Sequence, residues 1–329
     1  MSRISGEFAV IERYLAPLAQ GAAGAFALKN DAAVLSLEPG ARLVTTVDCM
    51  IAGRHFLPDD PADTVAKKLL RVSLSDLAAM GARPLAYLLS ASWPVDTEES
   101  WLAAFCGGLA DDQARYGVTL VGGDTTATPG PLTLSLTAFG SLAGPGVLDR
   151  SSLKPGDDLY LSGTLGDAHL GLRVLRGEID GLSAAARDDL VRRYRCPDPR
   201  VDLGRALLER GLATTAIDVS DGLAQDLGHL LSGSGLGAVV RLMDLPVSEA
   251  AEEALGKMGE TRAGLLSGGG DYELLLGAAA DRRDTLAALA KELSVPLTRL
   301  GQARGEPGLS VQDAAGREVL LESAGWTHF

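Results

Sequence analysis

Hydrophobic positions recur along this chain at two spacings. Across residues 63–80 they keep a helical period: Val65, Leu69 and Val72 fall at i, i+4 and i+7, and Asp76 continues the same stripe at i+11. Residues 8–18 predict an amphipathic opening helix that ends near Pro17 and the glycines behind it. Residues 97–116 and 281–293 predict two more helices. Short apolar runs bounded by turn residues predict strands at 32–37 and 43–47, on either side of Glu38-Pro39-Gly40, then at 85–91, 118–121 and 132–140. A stretch rich in turn residues, 144–158, follows. Beyond it the alternation resumes: residues 159–162 feed a helix from near Asp167, and 216–219 run into a helix from Asp221. Residues 238–242 and 272–276 are further strands. The alternation predicts an α/β (α+β) fold in two domains, 1–145 and 146–329, with no solenoid repeat.

Composition narrows the class. The 329 residues are 46% hydrophobic and 22% charged, which sets disorder aside. The net charge is −13, and no Lys/Arg cluster exceeds the Arg192-Arg193 pair, so a nucleic-acid partner is not expected. Cys49, Cys106 and Cys196 are isolated, which excludes a disulfide framework and a thiolate metal site. The four histidines lack metal-ligand spacing, so zinc is set aside too. The opening residues do not read as a secretion signal, and no apolar run approaches membrane-spanning length. The expected setting is the cytoplasm, with no membrane partner.

The candidate chemistry lies in acids at the edges of apolar elements. Asp31 precedes one apolar run, Asp48 follows another, and Asp124 follows a third after a Gly122-Gly123 turn. Asp218 closes an apolar run, and Asp221 opens the helix behind it. Asp167 and Asp221, taken singly, serve equally well as helix caps. Asp76 is different, because an unpaired carboxylate on a buried stripe costs several kcal/mol. It requires a cation, a proton or a partner such as Arg71 or Arg83. Several acids with few matching bases favour a hard divalent cation held by oxygens, hence Mg²⁺. Two glycine loops, Gly122-Gly123-Asp124-Thr125-Thr126 and Ser267-Gly268-Gly269-Gly270-Asp271, offer backbone N–H groups suited to anions, yet neither has the P-loop pattern. Together with the acids they point to a nucleotide held through metal.

Seven segments resemble the thiamine-monophosphate kinase family of the aminoimidazole ribonucleotide synthetase-like superfamily. They are Gly6-Glu7-Phe8, Asn30 to Val34, Val47-Asp48 with Gly53-Arg54-His55-Phe56, Ser73 to Ala82, Gly122 to Thr126, Ile217 to Gly222, and the terminal Gly325-Trp326-Thr327-His328-Phe329. They fall in family order over nearly the whole chain, and the run from Ser73 to Ala82 is the most specific. The resemblance implies an N-terminal domain that binds ATP and Mg²⁺ and pairs its sheet across a homodimer, and a C-terminal domain that closes the active site. It implies direct in-line transfer of the ATP γ-phosphoryl group to thiamine monophosphate, assisted by several Mg²⁺ ions. By the same resemblance Asp31, Thr46, Val47, Asp48, Asp76, Asp124, Asp218 and Asp221 hold metal. Gly123, Asp124, Arg150 and Ser220 contact ATP, and His55, Gly270 and Trp326 mark the thiamine phosphate site. From the residues alone, His55 reads as a core histidine, Trp326 as a packing anchor and Arg150 as an exposed linker side chain.

The chain departs from the family pattern at three positions. Asn30 replaces the first acid before Asp31, Val47 replaces a hydroxyl residue, and Gly270 replaces a glutamate that the family directs at substrate. These departures keep open a non-catalytic or altered-specificity nucleotide-binding paralogue as the alternative.

Overall fold

The protein was described from a computed structural model covering residues 6–321 and Gly325. The chain divides into two compact units: residues 1–77 with 82–145, and residues 78–81 with 146–329.

The first unit opens with helical turns of changing pitch, α1 (Glu7–Val10), a π-helical turn Ile11–Leu15 and a 3₁₀ turn Ala16–Ala19 that carries Pro17 near its start. The expected opening helix is thus present but tightens where Pro17 withholds an N–H. After a second 3₁₀ segment, Ala23–Leu28, the predicted strand at 32–37 does not form. Val34 is 61% exposed, and its N–H donates to the Gly24 carbonyl at 2.9 Å, folding the segment onto the preceding turn. Four strands follow, with α2 (Ala62–Ala79) and α3 (Glu99–Tyr116) between them: β1 (Ala41–Ile51), β2 (Arg83–Pro94), β3 (Thr119–Thr128) and β4 (Thr133–Ala143). The sheet order is β1-β4-β2-β3, antiparallel except for the β2/β3 pair.

The side-chain period of two separates the faces of this sheet. Thr46 and Asp48 turn towards α2, while Leu43 and Val47 on the opposite face are 49% and 63% exposed. Leu69, Leu74 and Leu77 of α2, Leu102, Phe105 and Leu109 of α3, and Leu134 and Leu136 of β4 are fully buried. Each contributes about 1.5–3 kcal/mol by leaving water. Part of the other face is covered by Ala19, Ala25, Leu28 and Ala33, which pack with Leu88, Val121 and Phe139.

Two expectations about this sheet are corrected. β1 runs on to Ile51, so Asp48 lies within a strand rather than after one. Gly122-Gly123 is not a turn: β3 continues through it to Thr128, with a bulge that shifts the register opposite Tyr87 and Leu88. Glycine is required because an added Cβ at Gly123 would sit 1.8 Å from the Leu89 carbonyl oxygen.

The second unit holds β5 (Asp158–Ser162), α4 (Asp167–Leu175), α5 (Ala184–Arg195), α6 (Val201–Glu209), β6 (Thr215–Val219), α7 (Leu223–Ser234), β7 (Gly237–Arg241), α8 (Glu249–Met258), β8 (Glu273–Ala278), α9 (Arg283–Leu293), β9 (Leu297–Arg304) and β10 (Gly308–Gln312). The sheet order is β10-β7-β9-β5-β8-β6, parallel only at β10/β7. Leu159, Leu161, Ile217, Val219 and Leu275 face one apolar core, and Tyr160, Ala216, Leu274 and Leu276 face another. Burial on both faces explains why these strands read as continuous apolar runs rather than as alternating ones. The helix after β6 begins at Leu223, two residues later than the sequence suggested.

Candidate functional site

In the first unit the site is built on the facing surfaces of β1 and α2. Thr46 Oγ1 donates to Asp76 Oδ2, and Ser73 Oγ donates to Asp48 Oδ2 at 2.6 Å. Two alternate residues of β1 are thereby matched to one turn of α2, and the two carboxylates come close enough to repel. Burial, then the Asp76 charge, pushes Asp48 up to about 6 against the lowering effect of the Ser73 hydroxyl. Asp76 is partly buried, not sealed in the core as its place on the apolar stripe implied. The candidate counter-ion Arg71 is engaged elsewhere: its Nε and Nη2 close on Asp112 of α3 at 2.7 and 2.8 Å. Arg83 is exposed and makes no ion pair among the described residues. Thr46, Asp48 and Asp76 are hard oxygen donors with mutually repelling charge, which a small divalent cation relieves. The donor set fits Mg²⁺. Val47 lies on the opposite face and has only its backbone carbonyl to offer.

Asp31 and Asp124 stand apart from that pair. They line a cavity of about 580 Å³ in the same unit, with Glu7, Asn30, Ser90, Gly122, Gly123, Thr125 and Thr137 as its other polar walls and Ile11, Leu15, Leu28, Leu88, Leu120 and Phe139 among the apolar ones. The size and the mixture suit a small organic molecule. Asp124 is exposed, and its Oδ1 accepts the Thr125 N–H at 3.0 Å. Thr125 Oγ1 accepts Trp93 Nε1–H at 2.6 Å, which leaves its hydroxyl proton to donate. Among the described residues no three His, Cys, Asp or Glu side chains converge as a metal-holding group. The structure therefore sets Asp48 beside Asp76 and leaves Asp31 and Asp124 to line the cavity.

His55 sits in the turn that follows β1. The Ile51 N–H donates to its Nδ1 at 3.0 Å, and Lys68 Nζ donates to its carbonyl at 3.0 Å. An Nδ1 that accepts leaves the ring proton on Nε2, so the imidazole presents a donor. Lys68 carries no signal in the sequence, and Ser73 stands there only as the first residue of the run to Ala82. Ser73 could have been found, because it precedes Asp76 by one helical turn.

In the second unit Asp218 is buried within β6, and Asp221 lies in the loop behind it. Gln225 Nε2 donates to Asp221 Oδ2 at 3.1 Å. This loop packs back to back with the glycine loop 267–271. The Gly270 N–H donates to the Ser220 carbonyl at 2.8 Å, and the Tyr272 N–H to the Val219 carbonyl at 2.8 Å. An added Cβ at Gly269 would lie 2.5 Å from the Ser220 carbonyl oxygen, so the run of glycines is what lets two backbones touch. The same loop is anchored by Asp271, whose carboxylate accepts the Gly166 and Ala168 N–H groups at 2.6 and 3.0 Å. Burial pushes Asp271 up to about 8. Glu273 is clamped by Arg200, with Nε to Oε2 at 2.6 Å, and by Ser162 Oγ at 2.5 Å.

The glycine loops thus do not present the open anion cradle that the sequence suggested. One lies within a strand, and the other has N–H groups committed to neighbouring backbone. Asp167 is structural: Thr164 and Ser248 hydroxyls donate to it at the start of α4. Arg150 is exposed in the turn after the unit boundary, where Asp149 accepts the Ser151 N–H and hydroxyl at 2.9 Å. Trp326 lies outside the described residues. Gly325 comes close to the acid loop, since an added Cβ there would be 2.6 Å from the Asp221 carbonyl oxygen.

Residues 29–142 match the N-terminal domain of the AIR synthase related proteins, and residues 154–314 match their C-terminal domain. The chain is 40% identical to the thiamine-monophosphate kinase of Caulobacter vibrioides over 98% of this chain and 90% of that protein. The crystal structure of thiamine-monophosphate kinase from Stenotrophomonas maltophilia superposes with a TM-score of 0.84 at 40% identity, covering 95% of this chain and 98% of that one. AaThiL complexed with AMPPCP and TMP superposes with a TM-score of 0.79 at 27% identity, covering 100% of this chain and 99% of that one. With this two-unit architecture and this extent of identity, the chain belongs to the thiamine-monophosphate kinase family of AIR synthase related proteins.

Proposed function

We propose that this chain is an ATP-dependent kinase that phosphorylates thiamine monophosphate to thiamine diphosphate and releases ADP. The observation that carries the proposal is the Thr46–Asp76 and Asp48–Ser73 pairing, an oxygen-donor set poised for Mg²⁺ in a chain of this family. In the reaction, an oxygen of the acceptor phosphate forms a bond to the γ-phosphorus, and the bond from that phosphorus to the β–γ bridging oxygen breaks. The acceptor oxygen is already ionised near neutral pH, so no general base is needed, and none is assigned. Phosphoryl transfer then depends mainly on positioning and charge neutralisation. Thr46, Asp48 and Asp76 would hold one Mg²⁺, and Asp31, Asp124 and the Val47 carbonyl would serve further ions. Mg²⁺ supplies neutralisation of phosphate charge when bound.

In the second unit Asp218 and Asp221 are proposed as metal ligands, and Ser220 and Arg150 as ATP contacts. Gly123, exposed on β3 where it lines the cavity, is assigned to the nucleotide. His55, through Nε2–H, and Trp326 are assigned to the acceptor. The glutamate that the family carries at 270 is absent, and the open space at Gly270, where an added Cβ would meet only the Ala168 Cβ at 3.4 Å, leaves the acceptor one polar contact fewer. The exposed Leu43 and Val47 on β1 support sheet pairing with a second copy, so residues 1–145 are assigned to nucleotide binding and dimerisation. The free cysteines accord with a cytoplasmic setting. A coupled ADP-release assay with ATP, Mg²⁺ and thiamine monophosphate tests the reading: ADP must form only when the acceptor is present. Lack of acceptor-dependent ADP sinks it.

A further inference from the structure

We propose that Asp226 is a positioning residue that turns the Ser220–Gly222 loop into a cation-facing surface. Successive backbone N–H groups in a turn form a concavity that ordinarily takes an anion. Here that concavity is already filled by the chain itself. Asp226 Oδ2 accepts the N–H groups of Ser220, Asp221 and Gly222 at 3.0, 3.1 and 3.2 Å, and the residue is only 3% exposed. The three donors precede the first residue of α7, Leu223, so the contact organises the loop and is more than a cap on the helix.

The opposite side of the loop is held as firmly. Gly270 and Tyr272 donate to the Ser220 and Val219 carbonyls, each at 2.8 Å, and Gln225 fixes the Asp221 carboxylate at 3.1 Å. With its N–H groups turned inward, the loop leaves oxygen atoms for a ligand, the Ser220 hydroxyl and the Asp221 carboxylate among them. Such a surface repels bare phosphate and accepts a divalent cation, or a phosphate that carries one. The inference rests on the proposed role of this loop in holding metal and nucleotide, and names the residue that sets its polarity.

The test uses the full-length protein and two substitutions, Asp226→Ala and Asp226→Asn. The asparagine keeps the shape and one acceptor oxygen for the three N–H groups; the alanine keeps neither. Binding of Mn²⁺ alone is followed by electron paramagnetic resonance without nucleotide, and the Mg²⁺ and ATP dependences of turnover are measured separately. For Asp226→Ala, Mn²⁺ binding at one class of sites should weaken by at least about tenfold, and KM for ATP should rise to match. Its kcat at saturating Mg²⁺ should stay within about threefold of the parent, and Asp226→Asn should stay near the parent throughout. Parental Mn²⁺ binding in Asp226→Ala, with only a lower Tm, overturns the proposal. So does an Asp226→Asn variant as impaired as Asp226→Ala, which would assign the role to charge. Lack of acceptor-dependent ADP formation by the parent would sink the activity reading instead, while the Mn²⁺ titration still decides the role of Asp226.

Discussion

The acids of the two units are held in opposite ways. In the first unit Asp48 and Asp76 lie near each other, and each accepts a hydroxyl proton, Asp48 from Ser73 and Asp76 from Thr46. In the second, Asp226 and Asp271 are buried deeply but point at backbone N–H groups, three for the first and two for the second. Burial raises the carboxyl pKa in both places, so a raised value does not separate ligand from staple. The nature of the neighbours does. Asp226 and Asp271 also have acidic neighbours, Asp221 for the first and Asp167 with Glu273 for the second, but the N–H groups around them offset part of that charge. Asp48 instead accepts from a hydroxyl beside Asp76 and gains from a cation.

The sharpest break of this comparison is Asp76→Asn. Turnover should fall by at least about a thousandfold, while Tm stays level or rises because a like charge beside Asp48 is gone. Parental activity would place Asp76 with the staples. The converse is Asp271→Ala, which should lower stability by about 1–3 kcal/mol for each backbone N–H left unsatisfied, read by urea unfolding. A loss of turnover at unchanged stability would contradict that assignment.

Titration offers a third handle. Asp48 is raised from 3.8 to about 6 in the folded chain, so the native state holds its proton more tightly than the unfolded state does. Its contribution to stability is therefore full below about pH 4 and is lost as pH rises through 6. In chelator, Asp48→Asn should be more stable than the parent at pH 8 by up to about 2 kcal/mol, with the advantage vanishing towards pH 4. Denaturant unfolding across that range checks it, and Mg²⁺ should close the gap at pH 8.

The smallest expected effect is at Gly270. Gly270→Glu restores the acid that the family carries and should lower KM for thiamine monophosphate. Gly270 has φ of +97°, so the substitution should also cost about 1–2 kcal/mol of stability. An unchanged KM would remove Gly270 from the acceptor site.

Much of this architecture was legible in the chain. The stripe Val65-Leu69-Val72 specifies α2, and the paired apolar runs specify β5, β6 and β8, because local period and burial agree there. The strand expected at 32–37 failed because its apolar residues find no sheet partner, and the Gly122-Gly123 turn proved to be a bulge because β2 continues alongside it. Placing Asp76 on a helical stripe drew attention to it as an acid in need of a partner, although folding leaves the side chain only partly buried. Arg71 could not be eliminated as its partner without seeing Asp112, 41 residues further on. Trp326 was legible only as part of a motif.

The sequence by itself determined which residue types are available: many acids, few bases near them, glycines where backbones must touch. Tertiary structure alone decided which acids are held by backbone N–H groups. The N–H groups that compensate Asp271 lie on residues more than a hundred positions away, at Gly166 and Ala168, and only folding brings them to it. The charge of a carboxylate is written in its residue type, whereas its compensation depends on neighbours that the chain must fold to supply.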